Sequence, residues 1–170
     1  MQILVILGLV FVVYVIWKYW TLAIGAGFDP APTDKVYKML QIARVGEDDV
    51  IYDLGCGDGR ILVTAARKFG ARAVGIEIDP FRFLFTWFVK SLSGHASRIR
   101  LRFGNFFKIN ISEATVVTLF LYGPTNNRLK DKFKRELRPG TRVVSYIWRF
   151  DDWQLVDFLP EDRIYLYEMS

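Results

Sequence analysis

Hydrophobic positions along the chain first run together and then alternate in short blocks with polar ones. The run "ILVILGLVFVVYVIW" (Ile3 to Trp17) has no strongly polar residue, and Lys18 is the only charge between Gln2 and Phe28. Extended through "KYWTLAIGAGF", it supplies the roughly 20 apolar residues that a helix needs to cross a bilayer. The pattern predicts a transmembrane anchor over residues 1–27. Tyr14, Trp17, Tyr19 and Trp20 gather around Lys18, as in an interfacial aromatic belt with a snorkelling lysine. Two other readings remain open here. A cleaved signal peptide would use "AIGAG" as its small-residue site, but nothing basic precedes Ile3; a buried core helix is the other. Lys18, Lys35, Lys38 and Arg44 all follow the span, so the positive-inside tendency puts the remainder in the cytoplasm.

Beyond Phe28 the pattern changes. "FDPAPT" carries two prolines and reads as a linker ending in a helix N-cap at Thr33 or Asp34. Val36, Met39, Leu40 and Ala43 have helical spacing. "VIYDL" (Val50 to Leu54) is a β-branched run, followed by a glycine loop and a helix "RILVTAARKFG" ending at Gly70. Strands are predicted in "RAVGIEI", "RIRLRF", "TVVTLFLY" (Thr115 to Tyr122) and "TRVVSYIW" (Thr141 to Trp148). Helices are predicted from Pro80 and from Asn126. "WQLVDFL" and "RIYLYEM", separated by "PED", read as a closing hairpin. The fold class is therefore α/β: a Rossmann-like, doubly wound, mostly parallel sheet with a C-terminal antiparallel hairpin, over residues 28–170, preceded by one transmembrane helix.

The helix from Pro80 is apolar nearly all round. Its stripe of Phe81, Leu84, Phe85 and Phe88 is expected to pack on the sheet, leaving Phe83 and Trp87 to meet the N-terminal segment or lipid. The stretch from Arg128 to Arg138 holds six basic and two acidic residues, either a solvated face or one drawn to anionic headgroups.

With 170 residues, the chain has room for one domain and an appendage. Its net charge of +5 falls to +4 without Lys18, which suits a membrane-proximal surface and does not require nucleic acid. A single cysteine, Cys56, and a single histidine, His95, exclude an internal disulfide and a zinc cluster built by this chain alone. No serine sits in a nucleophile-elbow motif, so a Ser-His-Asp hydrolase is not indicated.

The chemistry concentrates in "DLGCGDGR" (Asp53 to Arg60). Parallel sheets bind ligands beyond the C-terminal ends of their strands, usually behind the first. Gly55, Gly57 and Gly59 let the backbone approach a ligand closely, with Cys56 a small filler and Asp58 between them. The dinucleotide fingerprint wants its third glycine one residue later, where Arg60 stands. Asp53 also places a carboxylate where a pyrophosphate would want none. A cationic ligand fits better, and S-adenosylmethionine carries both a sulfonium and an α-ammonium group. The spacing resembles motif I of the class I methyltransferases. Glu77 in "GIEID", at the end of the second strand, is positioned to accept ribose hydroxyls, with Ile78 and Asp79 near the adenine edge. Asn105 and Phe106 in "GNFF" follow the third strand, where such enzymes place adenine contacts. A Rossmann-like domain without a ligand is the bland alternative.

From Phe28 to Tyr167 the chain resembles a narrower family, the small archaeal protein-lysine methyltransferases and their membrane-anchored mitochondrial relatives. Those enzymes modify lysines of ATP synthase c subunits and adenine nucleotide translocases. The resemblance rests on "FDPAPTDKVYKMLQIARV", "VIYDLGCGDGRILVTAARKFGARAVGIEIDP", "LFLY" and "LKDKFKRELRPGTRVVSY". It implies methyl transfer from S-adenosylmethionine to the ε-amine of lysine in a membrane-associated protein. The chain departs from the family at "FDPAP", at "LYGPT", and at Tyr146 and Trp148, where a histidine and a phenylalanine are expected.

Methyl transfer leaves the protein mainly an alignment task. A lysine nucleophile must first lose its proton, which an aromatic pocket favours by desolvation. Tyr122, Tyr146 and Trp148 are candidates for that channel, Tyr122 also for orienting the amine, and Asp29 for receiving the ammonium. Ordinary packing for the aromatics, and capping or solvation for Asp29, are the structural alternatives. A small-molecule or lipid methyltransferase, and a tethered S-adenosylmethionine-binding module without transfer activity, are the alternative functions.

Overall fold

The computed structural model describes residues 4–9, 11, 12, 15 and 29–170. The predicted anchor falls largely outside the described residues. Leu4 to Leu9, Phe11, Val12 and Val15 are helical, and among the described residues no helix is long and apolar enough to cross a membrane.

Seven strands form one sheet in the order β3-β2-β1-β4-β5-β7-β6. They are β1 (Val50–Leu54), β2 (Arg72–Glu77), β3 (Ile99–Phe103), β4 (Val116–Leu119), β5 (Arg142–Tyr146), β6 (Leu155–Leu159) and β7 (Ile164–Glu168). The first five are mutually parallel, and the closing hairpin adds β7 antiparallel to β5 with β6 outside it. Strand order reverses between β1 and β4, which opens a crevice at the C-terminal end of β1. The helices are α1 (Thr33–Ile42), α2 (Arg60–Phe69), α3 (Pro80–Leu92) and α4 (Gly123–Glu136). Residues Ile51, Ala73, Val116 and Val144 line the face on which α1 and α2 pack through Met39, Leu40, Leu62 and Ala65. The other face, with Tyr52, Val74, Val117 and Val143, packs Leu129 and Phe133 of α4. Alternate residues of the central strands thus serve opposite cores, the reason β1 is buried along its whole length.

Three expectations change. Pro32, not Thr33 or Asp34, holds the N-cap position of α1, and no side chain caps it; Asp34 instead lies in the first turn, where its charge suits the positive end of the helix. Helix α4 begins at Gly123, before Asn126, because Pro124 fits a first turn that needs no N–H from it.

The third concerns α3. Phe81, Leu84, Phe85 and Phe88 do not pack on the sheet; they are exposed, and Thr86 is the one buried residue of the helix. Phe83 turns inward instead, its ring 5.4 Å from that of Phe103 on the edge strand. The inward face is set by Thr86, whose hydroxyl donates to the Gly57 carbonyl. A close helix approach to the glycine loop needs a small side chain there, and the bulky stripe is displaced outward.

The basic stretch of α4 is partly structural. Lys132 is buried, donating to the Ile109 carbonyl at 2.7 Å and pairing with Glu136. Lys130 pairs with Asp152, and the Arg128 guanidinium lies 4.5 Å from the Phe107 ring centroid.

Candidate cofactor site

The glycine loop leaves β1 at Leu54 and enters α2 at Arg60. The Gly55 and Cys56 N–H groups both donate to the Ile76 carbonyl, at 2.9 and 3.1 Å, so the loop folds back over β2. The Gly57 N–H donates to Glu77 Oε2 at 2.9 Å, while Glu77 Oε1 accepts from the Ile78 and Asp79 N–H groups, each at 2.9 Å. Glu77 therefore ties the loop to the end of β2. At Gly59 the backbone takes φ +79°, and an added Cβ would lie 2.6 Å from Thr86 Cγ2. Gly75 of β2 faces the loop as closely: a Cβ there would meet Cys56 Sγ at 2.7 Å. Cys56 fills that space, and burial pushes its thiol well above the ordinary value. It is a packed filler, not a nucleophile.

The crevice is walled by Asp53, Gly55, Cys56, Gly57 and Asp58 from the loop. Glu77, Ile78, Arg82, Phe106, Phe120 and Leu121 close the far side, and Asp29, Pro30 and Ala31 come over it from the linker. The remaining sequence candidates lie elsewhere. Asp79 caps α3, accepting from the Phe81 and Arg82 N–H groups at 2.9 and 3.0 Å. Asn105 accepts from the Phe107 N–H at 2.9 Å and stands outside the crevice wall. Tyr122 meets Trp148 edge-on at 6.2 Å, both partly exposed. Tyr146 is buried against Phe120, with ring centroids 4.7 Å apart. Gly59 acts through the turn into α2.

Sequence reasoning missed Arg60, Arg82, Thr86, Thr118, Phe120 and Leu121. In the sequence Arg60 stands out only for occupying a glycine's slot; its guanidinium grips Asp58 and donates to the Ala31 carbonyl at 2.6 Å, holding the linker against the loop. A hydroxyl set between the aromatic residues Phe85 and Trp87 was the available signal for Thr86.

Asp53 is buried, and its carboxylate accepts from the Thr118 hydroxyl at 2.9 Å. Burial, opposed by that hydrogen bond and reinforced by the nearby Glu77 and Asp58 charges, pushes its pKa up to about 7. Four carboxylates, Asp29, Asp53, Asp58 and Glu77, thus line a crevice whose other walls are backbone amides, small residues, aromatic or aliphatic side chains and the arginines Arg60 and Arg82, engaged by Asp58 and Asp79. Such a site calls for a ligand with a cation at one end and a flat apolar ring at the other.

A family model, the ANTKMT methyltransferase domain, matches residues 53–157. A protein-lysine N-methyltransferase of Saccharolobus islandicus (strain REY15A) is 48% identical over 145 residues, covering 81% of this chain and 90% of the relative. The chain belongs to the ANTKMT methyltransferase domain family. The Homo sapiens lysine N-methyltransferase of ATP synthase c subunits is 27% identical over 145 residues, covering 84% of this chain, and the match spans only 61% of that protein's length. A crystal structure of an RNA methyltransferase from Salinibacter ruber, in complex with S-adenosyl-L-homocysteine, superposes with a TM-score of 0.80 at 42% identity. It covers 82% of this chain and 93% of the other.

This methyltransferase uses S-adenosylmethionine, and its crevice fits that cofactor on its own chemistry. The buried Asp53 carboxylate accepts from the Thr118 hydroxyl, and the two arginines of the crevice wall are engaged by other carboxylates, Arg60 by Asp58 and Arg82 by Asp79, which leaves Asp53 for an α-ammonium partner. Glu77 keeps one acceptor site, on Oε2, for a ribose hydroxyl beyond its three backbone bonds. Ile78 and Phe106 supply apolar surface for a base.

Proposed function

We propose that this methyltransferase methylates the ε-amine of lysine in a membrane-associated protein, with residues 1–27 as a single-pass anchor and the catalytic domain on the cytoplasmic side. The observation that carries the lysine reading is the 48% identity to a protein-lysine N-methyltransferase over 90% of that protein. The anchor reading rests on the uncharged apolar run before Lys18.

S-adenosylmethionine supplies a methyl group already activated by its sulfonium. The chain's own residues bind, orient and desolvate. Asp53, Glu77 and the glycine loop hold the cofactor, leaving Leu121 and Phe120 beside the acceptor approach. Phe120 is backed by Tyr146, and Tyr122 with Trp148 forms the rim after β4. An amine entering between these rings leaves water behind, which lowers its pKa and favours the neutral nucleophile. Asp29, exposed on the linker at the crevice mouth, receives the ammonium before it sheds its proton to solvent. The Tyr122 hydroxyl orients the neutral amine.

A second reading, RNA methylation, is favoured by the likeness to the Salinibacter RNA methyltransferase. The full chain incubated with methyl-labelled S-adenosylmethionine, membranes and RNA separates them. Label in protein that hydrolyses to methyl-lysine is expected. Label confined to RNA, or to an organic extract, overturns the lysine reading, and cofactor binding without label anywhere marks a binding module.

A further inference from the structure

Helix α3 carries an apolar face that no described residue covers. Phe81, Leu84, Phe85, Trp87, Phe88 and Leu92 are between 52 and 71% exposed. Most of them recur at intervals of three and four, so they form one stripe along the helix. A stripe of this size on a soluble surface marks an interaction site. The described part of the N-terminal segment, Leu4 to Leu9 with Phe11 and Val12, is itself exposed and does not shield it.

Charge identifies the occupant. Residues 80–112 contain Arg82, Lys90, Arg98, Arg100, Arg102 and Lys108 and no aspartate or glutamate. Lys90 lies in the last turn of α3, Arg98 in the short turn Ala96–Arg98 behind it, and Arg100 and Arg102 on the adjoining edge strand β3. Arg98 and Arg102 donate to the carbonyls of Gly70 and Asn110, which are neutral acceptors, and Glu113 lines the same surface beside Lys90, Arg98 and Arg100. An apolar stripe bordered mainly by cations, with Asp79 taken up in the cap of the helix and Glu113 among the basic residues beyond it, is the composition of a helix lying in an anionic membrane surface. Two copies joined through this face would set one predominantly basic surface against another, which costs rather than stabilises. Nucleic acid would engage the cations but leave the aliphatic and aromatic stripe in water.

We propose that α3 is a second membrane contact, seated in the headgroup region of an anionic bilayer with Phe81, Leu84, Phe85 and Phe88 toward the acyl chains. This rests on the proposed membrane location and adds its geometry. Helix α3 is capped by Asp79, two residues after Glu77, and its Arg82 walls the crevice. Seating α3 therefore holds the cofactor crevice at the bilayer surface, within reach of a lysine just outside the hydrocarbon.

The test uses the full chain in vesicles containing phosphatidylserine, with a nitroxide on Phe85→Cys or Phe88→Cys and on Arg135→Cys as an exposed control. The buried Cys56 escapes labelling in the folded chain. Expected is a several-fold higher ratio of oxygen to water-soluble nickel accessibility at 85 and 88 than at 135, with the difference shrinking in zwitterionic vesicles. Equal ratios at all three sites, in chain that floats with the vesicles, overturn this proposal and leave the anchor standing. Protection of 85 and 88 from both reagents also overturns it, in favour of a protein partner; protection by added RNA without vesicles does so in favour of nucleic acid. Chain that does not float with vesicles overturns the membrane location and this contact together, whatever acceptor the methylation assay reports.

Discussion

Arg60 joins two segments that are far apart in sequence: its Nη1 donates to the Ala31 carbonyl at 2.6 Å, and its Nη2 meets Asp58 Oδ2 at 2.5 Å. The guanidinium thus fastens the proline linker to the glycine loop and lays Asp29 and Pro30 over the crevice. A planar fork suits this double task and an ammonium does not. Arg60→Lys is expected to weaken cofactor affinity about tenfold, a loss of about 1.4 kcal/mol, while the domain stays folded. Calorimetric titration beside a thermal melt checks both halves.

Asp53 gives a signed pH dependence. A carboxyl whose folded-state pKa of about 7 lies above the ordinary value of 3.8 keeps its proton longer in the folded chain. Its contribution to stability is complete below about pH 4 and is lost as pH rises through about 7. Asp53→Asn should therefore stabilise the cofactor-free domain at pH 8 by about 2–4 kcal/mol and have little effect at pH 4. Cofactor affinity runs the other way, because a cationic group prefers the ionised carboxylate. The wild-type chain should lose affinity by up to about tenfold per unit below pH 7, with proton release on binding near pH 6.5 seen by calorimetry in buffers of different ionisation enthalpy. A flat affinity profile between pH 5.5 and 8 would remove Asp53 from the cofactor's ammonium.

Glu77 serves the fold as well as the ligand. Because it accepts from the Gly57, Ile78 and Asp79 N–H groups, Glu77→Ala should both abolish cofactor binding and destabilise the domain by about 1–3 kcal/mol. Glu77→Gln keeps one acceptor oxygen and should lose affinity with less cost in stability. Denaturant unfolding of the two variants separates the roles.

Gly59→Ala places a methyl at φ +79° against Thr86. The expected cost is about 1–2 kcal/mol for the left-handed backbone alone, plus the contact. Thr86→Ala should relieve the contact and leave the backbone cost, so the double variant recovers part of the lost melting temperature.

The Cys56 thiol, buried and pushed up in pKa, should resist thiol-disulfide reagents in the native domain and react promptly once unfolded. Comparable rates before and after denaturation would contradict its role as a filler between the loop and Gly75.

The alternation of apolar strands with helical spacing made the mostly parallel sheet and the closing hairpin legible, since β1, β2, β4 and β5 are buried almost throughout and glycine or proline marks most of the turns. The loop was legible because three alternate glycines behind a strand have few other uses. What periodicity does not carry is which stripe of an all-apolar helix turns inward. In α3 that was decided by a hydroxyl contact between Thr86 and Gly57, distant in sequence. The roles of Arg60 and Thr118 were hidden for the same reason, as both depend on partners brought together only by the sheet. Tyr122, Tyr146 and Trp148 followed from strand ends, yet the structure puts them around the crevice and not in its wall.

Helix α1 rests against β5 and β7 as well as α2, and its Lys35 and Lys38 both pair with Asp162 in the turn between β6 and β7. The first helix of the domain thus finds much of its support in strands synthesised last. During translation the segment that carries α1 waits while the chain that will receive it is still being made, and the long sequence separation of these contacts slows closure.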